Sequence, residues 1–420
     1  MLEWSEPQQM LRNTVRSFIE AEIAPNLDEL EHGDTPPYDV LRKMIKTFGI
    51  DVMAKQQFDK QIAKEKAKLA GEQKSDAEKK SSVDDATRQM MKGEEAAMSM
   101  IPIIELCRYC PGMVTAMGVS MGLAGGAIMS KGTIAQKEEW ALPLLTMEKV
   151  GAWAITEPYS GSDAFGSMKA TCKRNDDGGY ILKGNKTFIT NGPYADTIIF
   201  ICKLDEPGVE AKDRKILSFI LDSGMEGLTQ SKPFRKMGIH SSPTGELFLD
   251  DVKVGPERLL GETEDGSGRS GAKDTFSTER AGVAAMALGI VEKCLELSVK
   301  YAKERVQFGQ PIGQFQLIQL KLAKMEVARL NLQNLVFRHI ETVAQGKKPS
   351  LAEASAMKLY AAQSAVDVAL EAVQIHGGNG YMAEYQVEQL CRDAKILQIY
   401  AGTDEIQITS IARDLLSREG

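Results

Sequence analysis

Arg392-Asp393-Ala394-Lys395-Ile396-Leu397-Gln398-Ile399-Tyr400-Ala401-Gly402-Thr403-Asp404-Glu405-Ile406-Gln407 is the stretch whose reading decides the fold. A charged helical segment runs into a break at Ala401-Gly402, and a second helix starts behind it. Thr403 is placed to cap that helix, and Asp404 and Glu405 fall in its first turn, where acids complement the helix dipole. A small-residue break leading into a helix start leaves backbone N–H groups free, and these suit a carbonyl oxygen or a phosphate. Many helix pairs are joined this way, so the stretch gains meaning from its company. That company is Thr156-Glu157-Pro158-Tyr159-Ser160-Gly161-Ser162-Asp163 and Gln374-Ile375-His376-Gly377-Gly378-Asn379-Gly380-Tyr381.

Working outward, the 420 residues are enough for a large core in two or three layers. A composition of 43% hydrophobic and 26% charged residues is that of a globular chain. The net charge of -7 offers no basic excess for neutralising phosphates, which argues against a nucleic-acid partner. No apolar run reads as long enough to span a bilayer. Met1 to Glu6 is acidic and amphipathic, unlike a secretory or mitochondrial leader, so a cytoplasmic location is expected. The six cysteines are scattered, as in a reducing compartment. Cys107 and Cys110 form a lone C-x-x-C and read as buried small residues. The four histidines make no metal-ligand pattern, so no metal is expected.

Residues 6–50 carry Met10, Val15, Phe18, Ile19 and Ile23 at helical spacing, a Pro36-Pro37 turn, and a second helical run from Val40. About 54–96 the chain turns rich in Lys, Glu, Gln, Asp and Ser, which predicts a solvated surface insertion outside the core. Residues 98–147 return to buried helix. From 151 to about 255, β-branched runs separated by Gly and Asn/Asp turns predict roughly seven or eight short strands. Helices resume near 270, over 275–306, 313–345, 349–377, 383–398 and 403–418. The order helix, sheet, helix gives a mainly α chain with a central β domain, divided as 1–150, 151–268 and 269–420.

Five runs stand in order: T-E-P-x-x-G-S-D from Thr156; Y-x-L-x-G-x-K-x-x-I-T-N from Tyr180; R-x-x-F-G from Arg305; Q-x-x-G-G-x-G-Y from Gln374; and R-D-A-K-I-x-x-I-Y-x-G-T from Arg392. Together they resemble the acyl-CoA dehydrogenase family of flavoproteins. The resemblance implies an N-terminal helical domain, a middle β-barrel-like domain and a C-terminal four-helix bundle. It implies FAD, bound without a G-x-G-x-x-G fingerprint, and a homotetramer built as a dimer of dimers. It also implies an acyl-CoA substrate and an electron-transfer flavoprotein as partner. Trp153, Ile155 and Thr156 would meet one side of the flavin, and Phe188, Ile189 and Thr190 the other. Ser162 would lie near the ring and the CoA chain. Arg305, Phe308, Gln316, Gln374 and Gly378 resemble residues that reach a neighbouring protomer's FAD, while Thr403 and Glu405 would hold the protomer's own. Arg280 and Gly402 would meet substrate. The segment Phe234–Leu247 resembles one near the CoA tail, with His240 and Gly245 standing where relatives usually have Arg and Cys.

The chemistry implied needs a base for the proton alpha to a thioester carbonyl and a donor for the oxygen that gains enolate character. In the family the residue after Tyr400 is usually that base, a glutamate; here it is Ala401. Its backbone N–H remains a donor, but a methyl group accepts no proton. Glu279, in Ser277-Thr278-Glu279-Arg280, resembles the alternative base of isovaleryl-type members, which pair it with Ala-Gly-Thr. The expected reaction is α,β-dehydrogenation of a short, branched or bulky acyl-CoA. Altered chemistry on the same fold without the usual base, as an oxidase, a desulfinase or an atypical elimination, and a non-catalytic CoA- or FAD-binding protein stay open as alternatives.

Overall fold

The computed structural model describes residues 3–71, 85–265, 268–347 and 349–418. The N-terminal helices are α1 (Glu6–Glu22), α2 (Leu27–His32), α3 (Tyr38–Thr47), α4 (Ile50–Leu69), α5 (Asp85–Cys107) and α6 (Pro111–Lys131). A run of short helical turns over 134–145 follows. Ser5 caps α1 through a reciprocal capping box with Gln8, and Val15 and Ile19, one turn apart, face the core.

Seven strands form the middle layer: β1 (Gly151–Ala154), β2 (Thr171–Arg174), β3 (Tyr180–Thr190), β4 (Thr197–Leu204), β5 (Ile216–Asp222), β6 (Leu228–Gln230) and β7 (Thr244–Val254). They make one mixed sheet ordered β1-β4-β2-β3-β7-β6, with β5 on the other edge of β4. β4 is buried along its whole length, which is why it reads as an unbroken apolar run rather than an alternating one. The pairing of β3 with β7 slips between Leu182 and Gly184 and again between Lys186 and Ile189. Such bulges re-aim side chains, and the second sits beside Phe188.

The C-terminal helices are α7 (Gly268–Glu304), α8 (Gln316–Ala344), α9 (Leu351–His376), α10 (Val387–Ala394) and α11 (Asp404–Ser417), with the ribbon β8 (Val306–Gln307) and β9 (Gln310–Pro311) between α7 and α8. α7 is the axis of the molecule. Ala281, Val283 to Leu288, Ile290 and Val291 are buried on every face of it, as in a helix wrapped by others. It packs against α5, α8 and α9. At Gly289 a Cβ would stand 2.2 Å from the Ile104 carbonyl oxygen, so only glycine permits the approach of α7 to α5. Buried charge ties the same helices: Arg12 and Arg16 of α1 grip the fully buried Glu105 of α5 at 2.7 and 3.0 Å. Arg12 also reaches Glu292 of α7 at 2.6 Å.

Two expectations need correcting. The charged run about 54–96 is partly inside the core. α4 buries Phe58 and Ile62, one turn apart, in the cluster containing Trp140 and Leu144, and Lys137–Glu65 and Lys66–Glu138 pairs at 2.6 Å flank that seam. Two apolar anchors in a polar helix suffice for docking but leave little periodic signal. Residues 72–84 of this run lie outside the described residues. Second, α6 is long and apolar enough to cross a membrane by length and composition. Half of its most apolar window is buried within the protein, where Ser120 Oγ accepts the Gly151 N–H at 2.8 Å.

The Phe234–Leu247 segment forms a joint between three regions. His240 bonds the Glu31 carbonyl at 2.5 Å and the Lys236 carbonyl at 2.6 Å. Ser241 donates to Glu31 at 3.1 Å, and the Ile239 N–H donates to Asp393. At Gly245 a Cβ would stand 2.5 Å from Ser231 Oγ. His240 is thereby occupied inside the protein.

Replacing Phe58 with Ala should destabilise the protein by about 3 kcal/mol, the cost of a large cavity. Chemical denaturation measures this, and an unchanged midpoint would return α4 to the surface.

Candidate active site

The turn at Ala401-Gly402 takes an unusual backbone path: φ is +53° at Ala401 and +89° at Gly402. The left-handed region costs a residue with a Cβ about 1 kcal/mol. Three side chains hold it there. Gln407 Nε2 donates to the Ala401 and Gly402 carbonyls at 3.0 and 2.7 Å. Lys358 Nζ donates to the Gly402 carbonyl at 2.9 Å and lies 3.4 Å from Asp404 Oδ1. Thr403 Oγ1 caps α11 by accepting the Ile406 N–H at 3.4 Å. The two carbonyls are thus engaged, while the Ala401 N–H meets no intraprotein acceptor among the described residues.

Glu279 and Arg280 of α7 approach this turn. Glu279 is half-buried and lies deep enough that burial pushes its carboxyl up to about 7, against the opposing pull of Arg280 and Lys358. Arg280 is turned inward, donating to Ser355 Oγ at 3.0 Å, with its Nε buried and unpartnered. Its guanidinium comes within 3.6 Å of where a Cβ would stand on Gly402. Tyr400 is half-buried; its hydroxyl lies 3.2 Å from Met286 Sδ and is faced by Thr115 and Glu279. Glu279, Arg280, Lys358, Ser355, Asp404 and the turn therefore converge.

The two runs expected to enclose the flavin are cross-bonded. The Thr187 N–H donates to the Thr156 carbonyl at 3.0 Å, and the buried Lys186 Nζ reaches the Ile155 carbonyl at 3.0 Å and Glu157 at 2.9 Å. Glu157 also accepts the N–H groups of Lys169 and Ala170 at 2.6 and 3.0 Å. The glutamate and lysine of these runs are thus scaffold. Trp153 is half-buried and Ile155 buried, whereas Phe188, at φ +56°, is 68% exposed. Thr156 and Thr190 are half-buried, and their hydroxyls meet no intraprotein partner among the described residues. An exposed flat ring beside unpaired hydroxyls is a donor set that fits an isoalloxazine, with its apolar faces and polar edge. Ser162 is exposed on the following turn. Helix α6 links this region to the turn at 401: Asn191, just past β3, donates to the Ala116 carbonyl at 2.9 Å, and Thr115, one residue earlier, faces Tyr400.

Arg305 immediately precedes β8, and Phe308 sits in the turn between β8 and β9. Phe308 is 94% exposed at φ +50°. Gln374 and Gly378 are exposed at the end of α9, and a Cβ on Gly378 would meet open space. Tyr301 joins the two elements: it stacks on His376 at 4.3 Å and receives the Asn379 amide at 3.0 Å. Gln316 is exposed at the start of α8, and Glu405 is exposed on α11. Among the described residues, none of Arg305, Phe308, Gln316, Gln374 and Gly378 bonds to Glu279 or to the turn at 401, as groups aimed outward at a neighbour would require.

Sequence reasoning did not single out Lys358, Ser355, Asp404 or Gln407. A signal existed for the lysine: Ala354, Lys358, Ala361 and Ala365 lie on one helical face, and a lone long cation among alanines has to answer to something.

The raised carboxyl carries a stability consequence. The fold gains from Glu279 staying protonated, so that gain is present below about pH 4.5 and is lost as pH rises through about 7. Glu279→Gln should therefore match the parent's melting temperature near pH 4 and exceed it above neutrality, by on the order of 2 °C given the residual water access. Thermal melts across pH check this; parallel curves would contradict it.

Three family models match the chain: Acyl-CoA dehydrogenase, N-terminal domain over residues 5–57, middle domain over 152–252, and C-terminal domain over 266–416. The chain is 42% identical to the short-chain specific acyl-CoA dehydrogenase of Megasphaera elsdenii over 75% of its length and 81% of the relative's. It is 34% identical to the caffeyl-CoA reductase–Etf complex subunit CarC of Acetobacterium woodii over 99% and 100%. Its identity to the mitochondrial isovaleryl-CoA dehydrogenase of Oryza sativa is 37%, over 76% of each chain. The solved butyryl-CoA dehydrogenase of Megasphaera elsdenii superposes with a TM-score of 0.80 at 35% identity, over 99% and 100%. The fold, the converging site and these matches agree: the chain belongs to the acyl-CoA dehydrogenase family, FAD enzymes that oxidise or reduce CH–CH bonds.

Proposed function

We propose that the protein dehydrogenates a short, branched or bulky acyl-CoA to the 2,3-enoyl-CoA, with Glu279 as the base. The observation that carries this reading is the pairing of Glu279 with the Ala401 turn. An acid with its carboxyl near 7 and a free backbone N–H stand on two elements joined by Lys358 and Arg280. A base poised near neutrality accepts a proton from an acid far weaker than itself only if the resulting negative charge is met elsewhere. In this reading the Ala401 N–H meets it at the thioester oxygen. Glu279 removes the alpha proton and holds it, and Arg280 and Lys358 keep the carboxylate form accessible.

When bound, FAD supplies the acceptor for the beta hydride. Thr156 and Thr190 would bond its polar edge, with Trp153, Ile155 and Phe188 against the ring and Ser162 toward the CoA chain. Arg305, Phe308, Gln316, Gln374 and Gly378 would serve a second protomer's FAD at the pyrophosphate and adenosine end, where a planar guanidinium suits two oxygens. Thr403 and Glu405 would serve the protomer's own. That arrangement calls for an oligomer, and the exposed Leu317, Leu320, Val327 and Leu330 of α8 give it an apolar face. We assign a homotetramer, and an electron-transfer flavoprotein as redox partner. The partner assignment is supported by a relative whose name places it in an Etf complex.

Glu279→Gln should slow anaerobic flavin reduction by on the order of 10²–10⁴, the usual cost of losing a general base, with FAD content unchanged. Adding Ala401→Glu should return part of the rate with unbranched substrates. Reduction by Glu279→Gln at the parent's rate would overturn the assignment. Light scattering should give four times the 46.0 kDa of one chain; a monomer holding a full complement of FAD would contradict the shared site.

A further inference from the structure

We propose that Lys358 is a positioning residue for this chemistry. Its ammonium clamps the Gly402 carbonyl, which holds the Ala401-Gly402 turn with the Ala401 N–H facing the thioester oxygen. The inference rests on Glu279 being the base.

Lys358 has no exposed surface at all. Burying an ammonium costs several kcal/mol unless its bonds compensate, so packing alone does not explain a lysine here. Its ion pair with Asp404 is loose at 3.4 Å, and its tighter bond is to the Gly402 carbonyl at 2.9 Å. The lysine therefore addresses the turn first and the acid second. The turn needs such a partner: Ala401 sits at φ +53°, a conformation that persists only where the surroundings impose it. Gln407 fixes the Ala401 and Gly402 carbonyls from α11, and Lys358 fixes the Gly402 carbonyl from α9. With the Ala401 carbonyl held by Gln407 and the Gly402 carbonyl by both side chains, the turn that carries the Ala401 N–H is fixed from two helices.

The charges facing the ammonium are Glu279 and Arg280 on α7 and Asp404 and Glu405 on α11. Those facing Glu279 are Arg280, Lys358 and the Tyr400 hydroxyl. Removing Lys358 leaves Arg280 as the cation beside Glu279, and Arg280 already directs one nitrogen to Ser355. The carboxyl should then titrate higher.

The test uses the FAD-loaded enzyme and two readouts that a merely structural lysine would leave in place. The first is the isotope-edited infrared carbonyl stretch of bound [1-13C]but-2-enoyl-CoA, which falls when its oxygen is polarised. The second is the pH midpoint of anaerobic flavin reduction. Lys358→Met should lose most of the carbonyl downshift, raise the midpoint by about one unit, and slow reduction on the order of 10²-fold, the scale of a lost oxyanion donor. Lys358→Arg should keep the midpoint near the parent's. Should the Met variant fail to fold, Lys358→Gln, which keeps a donor but no charge, must still raise the midpoint. A parental downshift or a parental midpoint in a folded neutral variant overturns the proposal. Glu279→Gln is run alongside and should retain the downshift. If it reduces flavin at the parent's rate, the base assignment falls, and the downshift alone then decides whether Lys358 is the clamp.

Discussion

The structure depends on a peptide turned the uncommon way. At Ala401-Gly402 two successive residues are left-handed, and their carbonyls are drawn by Gln407 and Lys358 toward α9 and α11. Everything with chemical potential is arranged about that turn: the free Ala401 N–H, the cap at Thr403, and Glu279 on α7. A polarising donor acts well only if it is fixed before the charge develops. The buried lysine and glutamine provide that fixity from two different helices.

The remaining architecture keeps α7, the sheet and the turn in mutual register. Asn191 at the end of β3 grips the Ala116 carbonyl and the Gly151 carbonyl, both at 2.9 Å, so the proposed flavin-facing strands are indexed to α6 and β1 together. Tyr38 of α3 holds the other end of that amide at 3.0 Å. A second joint lies at Glu31, Ser241 and Asp393, where burial pushes Asp393 up to about 7 and Lys236 down to about 8. A third is the Arg12–Glu105–Glu292 set. Breaking a buried pair by removing one partner is costly, so such joints resist relative sliding of the layers they join.

The order helix, sheet, helix and the family were legible in the sequence because long apolar periodicities and five spaced runs each repeat the same message. The break at Ala401-Gly402 before a capped helix was visible, though its left-handed path was not. Other features were not legible, for physical reasons. Phe58 and Ile62 dock α4 with two side chains, too few to stand out against its lysines and glutamates. Lys358 and Gln407 act on backbone carbonyls across the fold, and a bond to a carbonyl leaves no complementary residue type in the sequence. The bond from Arg280 to Ser355 was not legible either, because the face a helical side chain takes near a helix crossing is set by the neighbour. The roles of Glu157 and Lys186 as a buried brace were hidden inside runs that also carry the residues proposed to face the flavin.

The central claim is that the proton acceptor has moved from the turn to α7 while the carbonyl donor stayed. It is tested most directly by separating proton removal from hydride transfer. A 3-thia-acyl-CoA has an acidic alpha carbon but no beta hydrogen to give. With this ligand on the FAD-loaded enzyme in D2O, proton NMR follows exchange of the alpha hydrogens. The account predicts rapid exchange in the parent and near-complete loss of it in Glu279→Gln, with ligand binding retained. Exchange at the parent's rate in Glu279→Gln would contradict it.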